Sequence, residues 1–383
     1  MRGPLLRRPA AALAALAALA ALSAALPASA AALPAPPSAE FFGVTSATEL
    51  SSAEFTRMAG GKVGTLRIPL FWPYIEPKPP QPPPTVPGAP AGLPEDQSRW
   101  GPTDELVERA ARNGIRVLPF VYGTPDWVAG GDFERPPIDD PAARAAWQDF
   151  VGDLVRRYGP GGEFWRELAP LEPEVPELAI TEWQIWNEPN SKVFWSPRPS
   201  PAEYGEVVAL AGEAIRAADP SATVVLGGMF GAPTHGMPAW DFLRRLHAGG
   251  GAAGFFDAYA LHPYAPSLEG IAMQARRLSR QIDRGPAPDA PLWITEIGWP
   301  TDGPAGFNLV KTERGQKRLL ARSFRLFLAQ RESWSVARVL WYVWRDNDVQ
   351  ADCTVCRYSG LFTDRLEPKP AWRKLTQFTG GAP

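Results

Sequence analysis

The sequence contains few of the residues that build metal centres or redox sites. Its 383 residues include two cysteines and three histidines. His235, His247 and His262 lie far apart and show no HExxH-like spacing, so we expect no catalytic metal and no cofactor. No G-x-S-x-G elbow is present, and histidines are scarce, which argues against a serine hydrolase of ester or peptide bonds.

The sequence also lacks a marked excess of positive or of negative charge. The chain has 39 Lys and Arg against 41 Asp and Glu, a net charge of −2. Without residues 1–30 the count is 36 basic and 41 acidic side chains, a net charge of about −5. Neither value gives the basic surface that binds nucleic acid or anionic lipid, so we expect neither partner.

Long apolar segments are confined to the N-terminus. Residues 1–30 contain three early arginines, an Ala- and Leu-rich core at 10–26, and the small-residue sequence Ala28-Ser29-Ala30. This pattern is typical of a secretory signal peptide, and it predicts a secreted protein that begins directly after that site. An uncleaved membrane anchor is the alternative, although the segment is weakly hydrophobic for a spanning helix.

Short apolar runs alternate with amphipathic segments through the rest of the chain. The eight predicted strands are residues 41–44, 64–70, 115–122, 178–186, 222–229, 255–262, 291–298 and 337–344. The clearest predicted helices are residues 103–114, 141–159 and 314–330. Eight strands alternating with helices predict a single (β/α)₈ barrel over residues 39–383.

A doubly wound open sheet is the alternative fold. It usually carries a glycine-rich turn after an early strand, whereas the glycines of residues 59–67 precede one.

Two proline-rich segments flank the early strands. Residues 31–38 form a short leader, and residues 77–96, nearly half proline, are predicted to be a long loop at the top of the barrel.

The two cysteines, Cys353 and Cys356, stand in the sequence ADCTVCRY. In an exported chain without a second Cys pair, a short-loop disulfide is favoured over redox chemistry or half of a metal site.

Polar and aromatic residues stand where the predicted strands end. In a (β/α)₈ barrel these C-terminal ends form the active face. The residues are Arg67 on the second strand, Asn187 and Glu188 on the fourth, His262 and Tyr264 at the sixth, Glu296 on the seventh, and Trp341 and Trp344 on the eighth.

Two carboxylates that reach one pocket from different strands suit glycoside hydrolysis. One protonates the leaving oxygen, and the other attacks the anomeric carbon or activates water. Their pKa values must differ, which requires unequal desolvation and hydrogen bonding. Fifteen tryptophans, among them Trp186, Trp299, Trp341 and Trp344, could provide platforms for sugar rings, although each could equally be a packing residue.

The motifs IWNEPN and WITEIGWP, in this order, resemble the fourth- and seventh-strand signatures of glycoside hydrolase clan A. The Arg-containing second strand, the sequence HPY at 262–264 and the Trp-ending eighth strand are similar to that clan as well. The resemblance covers roughly residues 40–378. Within the clan, family 39-like enzymes are the most similar and family 5-like enzymes the second choice.

The resemblance implies roles for single residues. Glu188 would be the general acid/base, Glu296 the nucleophile, and Asn187 the partner of the sugar 2-hydroxyl. Arg67 and Tyr264 would hold Glu296 ionised, with His262 on the same wall. Trp344 would form the floor under the sugar, with Trp341 as its competitor and Trp299 as a further platform. The resemblance also implies net retention of the anomeric configuration.

Structural roles stay open for Arg67, as a buried ion-pair partner, and for His262, as a wall residue. For the whole protein, the interpretation is a secreted, monomeric β-glycosidase that acts on an oligo- or polysaccharide. The alternative is a catalytically retired barrel that binds carbohydrate at the surface. The sequence leaves open which sugar is bound and whether cleavage is endo or exo.

Overall fold

The computed structural model describes residues 38–80, 99–348 and 353–383. In it, eight parallel strands close into a barrel in chain order, each hydrogen-bonded to the next and β8 to β1. The strands are β1 (Phe42–Thr45), β2 (Thr65–Phe71), β3 (Arg116–Tyr122), β4 (Glu182–Asn187), β5 (Thr223–Phe230), β6 (Tyr259–His262), β7 (Leu292–Ile297) and β8 (Val336–Tyr342). The predicted single (β/α)₈ barrel is confirmed.

Helices follow the strands on the outside of the barrel. They are α1 (Ser52–Gly60), α2 (Trp72–Ile75), α3 (Gly101–Arg112), α4 (Asp126–Ala129), α5 (Pro141–Tyr158), α6 (Glu163–Leu168), α7 (Pro201–Ala218), α8 (Ala239–Gly249), α9 (Leu268–Ile282), α10 (Glu313–Ala329), α11 (Thr354–Tyr358) and α12 (Pro370–Thr379). Among the described residues, no helix combines the length and apolar character needed to cross a membrane.

Local sequence sets the ends of the long helices. Pro141 and Pro201 stand at the first position of α5 and α7, where a missing N–H costs nothing. Asp140 and Ser200 precede them, and their side chains accept a hydrogen bond from a backbone N–H of the first turn. Thr312 does the same for α10. These caps explain why the predicted starts of α5 and α10 agree with the structure to within one residue.

The barrel interior is layered. Near the N-terminal ends of the strands, Arg338 forms an ion pair with Glu182 and lies over the Trp293 ring at 5.0 Å. An apolar cluster of inward-facing side chains fills the next space: Leu118, Val225, Ala258, Ala260, Trp293 and Leu340. Polar side chains occupy the C-terminal end. The closed apolar layer below them means that this end is the open face of the barrel.

The chain after β8 is tied back to the barrel. Cys353 and Cys356 form a disulfide at the start of α11, as predicted. Asp346 forms an ion pair with Lys369 at 2.6 Å, which links the β8 loop to the segment before α12. The predicted signal peptide, its cleavage site and all but the last residue of the leader lie outside the described residues, as does most of the proline-rich loop.

Candidate active site

Six of the predicted site residues meet at the C-terminal end of the barrel. All of them are buried, and they come from the ends of four strands, β2, β4, β6 and β7. They are Arg67, Asn187, Glu188, His262, Tyr264 and Glu296. Residues up to 229 positions apart in the chain are therefore in direct contact.

Glu296 is held from both sides. The Arg67 guanidinium donates from Nη1 to Glu296 Oε1 at 2.6 Å. The Tyr264 hydroxyl donates to Glu296 Oε2 at 2.8 Å. Each carboxylate oxygen thus accepts one short hydrogen bond, and one of the two donors carries a positive charge. Both contacts stabilise the ionised form of Glu296.

Arg67 is fixed by its remaining donors. Its Nε donates to Gln184 Oε1 at 2.5 Å, and its Nη2 donates to Asn187 Oδ1 at 2.9 Å. The guanidinium carbon lies 4.0 Å from the centre of the Phe120 ring. The bond to Nη2 orients the Asn187 side chain, which leaves the amide NH₂ of Asn187 available for another acceptor.

Glu188 has a different environment. His262 Nδ1 lies 2.7 Å from Glu188 Oε1 and 3.5 Å from Glu296 Oε2, so the imidazole stands between the two carboxyl groups. His262 Nε2 lies 3.0 Å from the Thr295 hydroxyl. The ring fits because residue 228 is glycine: a Cβ there would lie 1.9 Å from His262 Nε2. No Lys or Arg of the described residues forms an ion pair with Glu188.

Both glutamates stand where the alternation of a strand is interrupted. Trp186 and Glu188 have positive φ angles of 71° and 42°, a left-handed conformation that costs a non-glycine residue of order 1–3 kcal/mol. Opposite β8, the segment from Ile294 to Ile297 carries one residue more than its partner. Such irregularities redirect side chains, and here they allow Asn187 with Glu188, and Thr295 with Glu296, to face the same site.

The two carboxyl groups have unequal pKa values. Burial raises the pKa of Glu188 well above its usual range, and the Glu296 charge adds to this rise. Burial also raises the pKa of Glu296, but the Arg67 charge and the two hydrogen bonds oppose the rise. Burial, with the Arg67 charge, lowers the pKa of His262 well below its usual range. These shifts favour a neutral imidazole, and they favour Glu188 as the carboxyl group that keeps its proton while Arg67 stabilises the charge of Glu296.

The carboxyl groups are close together. One oxygen of Glu188, one of Glu296 and a His262 ring nitrogen all lie within 4.8 Å of one another. This is the one group of at least three acidic, His or Cys residues with metal-binding geometry in the described part of the chain. Both Glu296 oxygens already accept hydrogen bonds, from Arg67 and Tyr264. A cation next to the guanidinium would be repelled, so the arrangement suits proton transfer better than metal binding.

The predicted tryptophan platforms are packing residues. All four, Trp186, Trp299, Trp341 and Trp344, are fully buried. The Trp344 indole donates to Glu54 at 3.1 Å, and its ring packs on Trp372. The other three indoles donate to backbone carbonyls, those of Phe194, Ala265 and Ser359, so each of the four is bonded to a group outside the carboxyl cluster.

Tyr342 occupies the place expected for an indole. It follows inward-facing Leu340 by two residues, and its ring lies 6.4 Å from that of Tyr264. Burial raises the pKa of Tyr342, and the charges of Glu296 and Glu188 add to the rise. Sequence reasoning missed Tyr342, together with Gln184 and Thr295. The sequence feature that could have identified them is a polar side chain at an inward-facing position of an otherwise apolar strand.

Comparison with known proteins agrees with this picture at the level of the fold. No protein-family description and no curated protein sequence matches the chain significantly. Among solved structures, a family 39 glycoside hydrolase from Bacteroides cellulosilyticus superimposes with a TM-score of 0.60 and 19% identity, over 91% of this chain and 65% of the other. This chain therefore spans just under two thirds of the length of that enzyme.

Two further structures are similar. A monomeric beta-xylosidase from Caulobacter crescentus gives a TM-score of 0.61 at 19% identity, over 89% of this chain and 68% of the other. A GH5_18 protein from Streptomyces cattleya, solved in complex with Manb1-4GlcNAc, gives 0.61 at 16% identity, over 89% and 80%. The Bacteroides and Streptomyces proteins are named as members of the two families that the sequence motifs resemble. At such identities the similarity shows the (β/α)₈ fold and leaves the activity to the site.

Proposed function

We propose that the protein is a retaining β-glycosidase that cleaves O-glycosidic bonds by double displacement. The observation that carries this proposal is the pair of buried carboxyl groups with oxygens within 4.8 Å, of which Glu296 is paired with Arg67 and Glu188 with the His262 imidazole. In retaining enzymes the two groups are about 5–5.5 Å apart, whereas inverting enzymes leave about 6.5–9.5 Å for a water molecule.

The first step uses both groups at once. The Glu296 carboxylate attacks the anomeric carbon, and Glu188 gives its proton to the glycosidic oxygen as that bond breaks. This forms a glycosyl ester on Glu296 and releases the leaving group as an alcohol. With its charge neutralised in the ester, Glu296 no longer raises the pKa of Glu188. Glu188 can then take a proton from the water that hydrolyses the ester.

The remaining residues support these steps. The Asn187 amide, oriented by Arg67, would donate to the sugar 2-hydroxyl. Tyr342 would form the floor under the sugar, in the role first expected of Trp344. Neutral His262 lies between the carboxyl groups and fixes the position of Glu188 Oε1. Preorganised groups of this kind stabilise the charge that develops in the transition state.

The neighbours support a substrate class. One is named as a beta-xylosidase, and another was solved in complex with Manb1-4GlcNAc. A β-linked oligo- or polysaccharide with an equatorial glycosidic oxygen is therefore the substrate that we propose. Turnover of a panel that includes aryl β-xylosides and β-mannosides, with product chains resolved by chromatography, would identify the sugar and distinguish endo from exo cleavage.

We also propose that the protein is exported and acts as a monomer. The basic, Ala- and Leu-rich residues 1–30 support export. N-terminal sequencing of protein from the culture medium should find Ala31 at or near the start; an intact segment in the membrane fraction would contradict export. Light scattering of the secreted material would establish the oligomeric state.

The mechanism is tested by removing each carboxyl group. Glu296→Ala should abolish turnover of all glycosides, and azide should then yield the α-glycosyl azide from a substrate with a good leaving group. Glu188→Ala should retain the first step only for good leaving groups, and azide should yield the β-glycosyl azide.

The same experiment tests the alternative of a retired, carbohydrate-binding barrel. Saccharide binding without turnover of any glycoside by the wild type would favour that alternative. Equal losses for all leaving groups in Glu188→Ala would make this carboxyl a structural group.

A further inference from the structure

Three aromatic side chains form a surface beside the site that the proposed mechanism does not use. They are Phe71 at the end of β2, Tyr74 in α2 and Phe133 in the β3–α5 connection, here called the aromatic strip. The Phe71 ring lies 5.2 Å from Tyr74 and 5.9 Å from Phe133. Tyr74 is 74% exposed, the second most exposed large apolar side chain among the described residues. A ring so exposed contributes little to the core.

The aromatic strip is continuous with the carboxyl cluster. Phe133 packs against Tyr122 at 5.2 Å, and Tyr122 against Trp186 at 5.0 Å. On the other side, the Phe71 ring lies 6.5 Å from the Phe120 ring, and the Arg67 guanidinium carbon lies 4.0 Å from the centre of the Phe120 ring. A path of neighbouring rings therefore runs from Arg67, which holds Glu296, to the exposed ring of Tyr74.

The position of Phe133 is fixed by its backbone surroundings. A Cβ on residue 123 would lie 2.5 Å from the Phe133 ring, so glycine at that position is required for this packing. The Thr124 N–H donates to the Phe133 carbonyl at 3.0 Å. The Ser196 hydroxyl donates to Asp132 at 2.6 Å, which ties the same connection to the segment after β4. The strip is thus a preformed surface rather than a loosely held loop.

A carboxyl group accompanies the rings. Glu134 follows Phe133, is half-buried, and lies close enough to Tyr122 for its charge to raise the Tyr122 pKa. Flat aromatic faces bind the apolar C–H faces of pyranose rings, and neighbouring carboxylates accept hydrogen bonds from their hydroxyl groups. Aromatic rings with a few placed polar groups are the general composition of such small-molecule sites.

We propose that the aromatic strip, with Glu134, is a binding site for saccharide units of the substrate beyond the sugar that is attacked. The inference rests on the proposed glycosidase activity and deepens it. Because the strip extends outwards from the site to the exposed Tyr74, it is suited to a substrate of several sugar residues. The enzyme would then select oligosaccharides over short glycosides by contacts remote from the reacting atoms.

The test compares a long and a minimal substrate. A β-1,4-linked tetrasaccharide of the preferred sugar is long enough to reach the strip, whereas the β-glycosyl fluoride of a single sugar is too small to do so. Tyr74→Ala should raise KM for the tetrasaccharide about tenfold with kcat unchanged, the loss expected for one stacking contact. Both constants for the glycosyl fluoride should stay unchanged. Tyr74→Phe, which keeps the ring, should behave as the wild type.

Leu171→Ala is the matched control, because Leu171 is 76% exposed but lies in the α6–β4 connection at the opposite end of the barrel. Equal KM values for the tetrasaccharide in wild type and Tyr74→Ala would overturn the assignment and leave the strip to another occupant, such as residues 81–98 or a second copy of the chain. Calorimetric titration of tetrasaccharide into Glu296→Gln, with and without Tyr74→Ala, measures the contribution of Tyr74 to binding affinity in the absence of turnover. Failure of the glycosidase proposal would instead appear as no turnover of either substrate by the wild type.

Discussion

The Arg67 guanidinium and the Glu296 carboxylate are in contact at 2.6 Å, and both side chains are at least nine-tenths buried. Burial alone would favour the neutral forms of both groups. The contact, supported by Gln184, Asn187 and Tyr264, favours the ionised form of Glu296 next to Glu188, which forms no ion pair with Arg67. Because Arg67 contacts only one of the two carboxyl groups, Glu296 and Glu188 differ in pKa, and a double displacement depends on this difference.

Arg67→Lys should therefore impair catalysis strongly. A single ammonium cannot make the planar set of bonds to Gln184, Asn187 and Glu296 at once. We expect kcat/KM to fall by about 100-fold or more, the usual cost of losing a preorganised donor. Arg280→Lys, an exposed substitution on α9, is the control for expression and folding. Wild-type activity in Arg67→Lys would show that the ion pair is structural only.

The pH dependence of kcat/KM should be bell-shaped. Activity requires an ionised Glu296 and a protonated Glu188, so it should rise as pH passes the pKa of Glu296 and fall as pH passes that of Glu188. Tyr264→Phe removes a hydrogen bond that lowers the pKa of Glu296. The acidic limb should consequently move to higher pH. A shift of that limb to lower pH would contradict this assignment.

Tyr342 and Trp344 should respond differently to substitution. Tyr342→Ala removes the proposed floor of the site, and we expect kcat/KM to fall at least about 100-fold while the protein stays folded. Trp344→Phe loses the indole bond to buried Glu54 and should lower the free energy of unfolding by about 1–3 kcal/mol. Activity per folded molecule should change little. Denaturant unfolding and active-site titration of both variants measure the two effects; the reverse pattern would restore Trp344 as the floor.

Glu188→Gln should stabilise the protein in a pH-dependent way. The pKa of Glu188 is raised in the folded protein, so ionisation is less favourable there than in the unfolded chain. The proton contributes stability that is complete below the unfolded pKa, about 4.3, and is lost as pH rises through the folded pKa. The free energy of unfolding of the variant should therefore rise relative to that of the wild type as pH increases above the unfolded pKa of Glu188. Glu332→Gln, on an exposed loop, should show no such trend.

The Cys353–Cys356 disulfide should contribute little to global stability. Its ring closes only a few residues, for which the loop-entropy relation gives about 2 kcal/mol. Replacing both cysteines by alanine should lower the free energy of unfolding by no more than that. Thermal unfolding of this variant and of the wild type would measure the loss, and a value above about 4 kcal/mol would show that the disulfide organises more than its own loop.

The sequence by itself determined the fold and the identity of the two carboxyl groups. The alternation of short apolar runs with capped, amphipathic helices is a local property, and in a parallel barrel the chain order of strands is also their spatial order. Once the barrel was predicted, the strand ends had to converge. Polar residues there, such as Arg67 and Glu296, could be named as neighbours before any contact was known.

Only the tertiary structure decided which side chains enter the site. Along a regular strand, side chains point alternately into and out of the barrel, so the sequence predicts which residues face the site. This rule fails where β4 ends in left-handed residues and where β7 carries an extra residue opposite β8. These irregularities are set by packing between strands. For the same reason the sequence could not show that β8 ends at Tyr342, so that Tyr342 faces the carboxyl groups while Trp344 turns away to Glu54. The unequal pKa values of Glu188 and Glu296 likewise arise from a cation that is distant in the chain and adjacent in space.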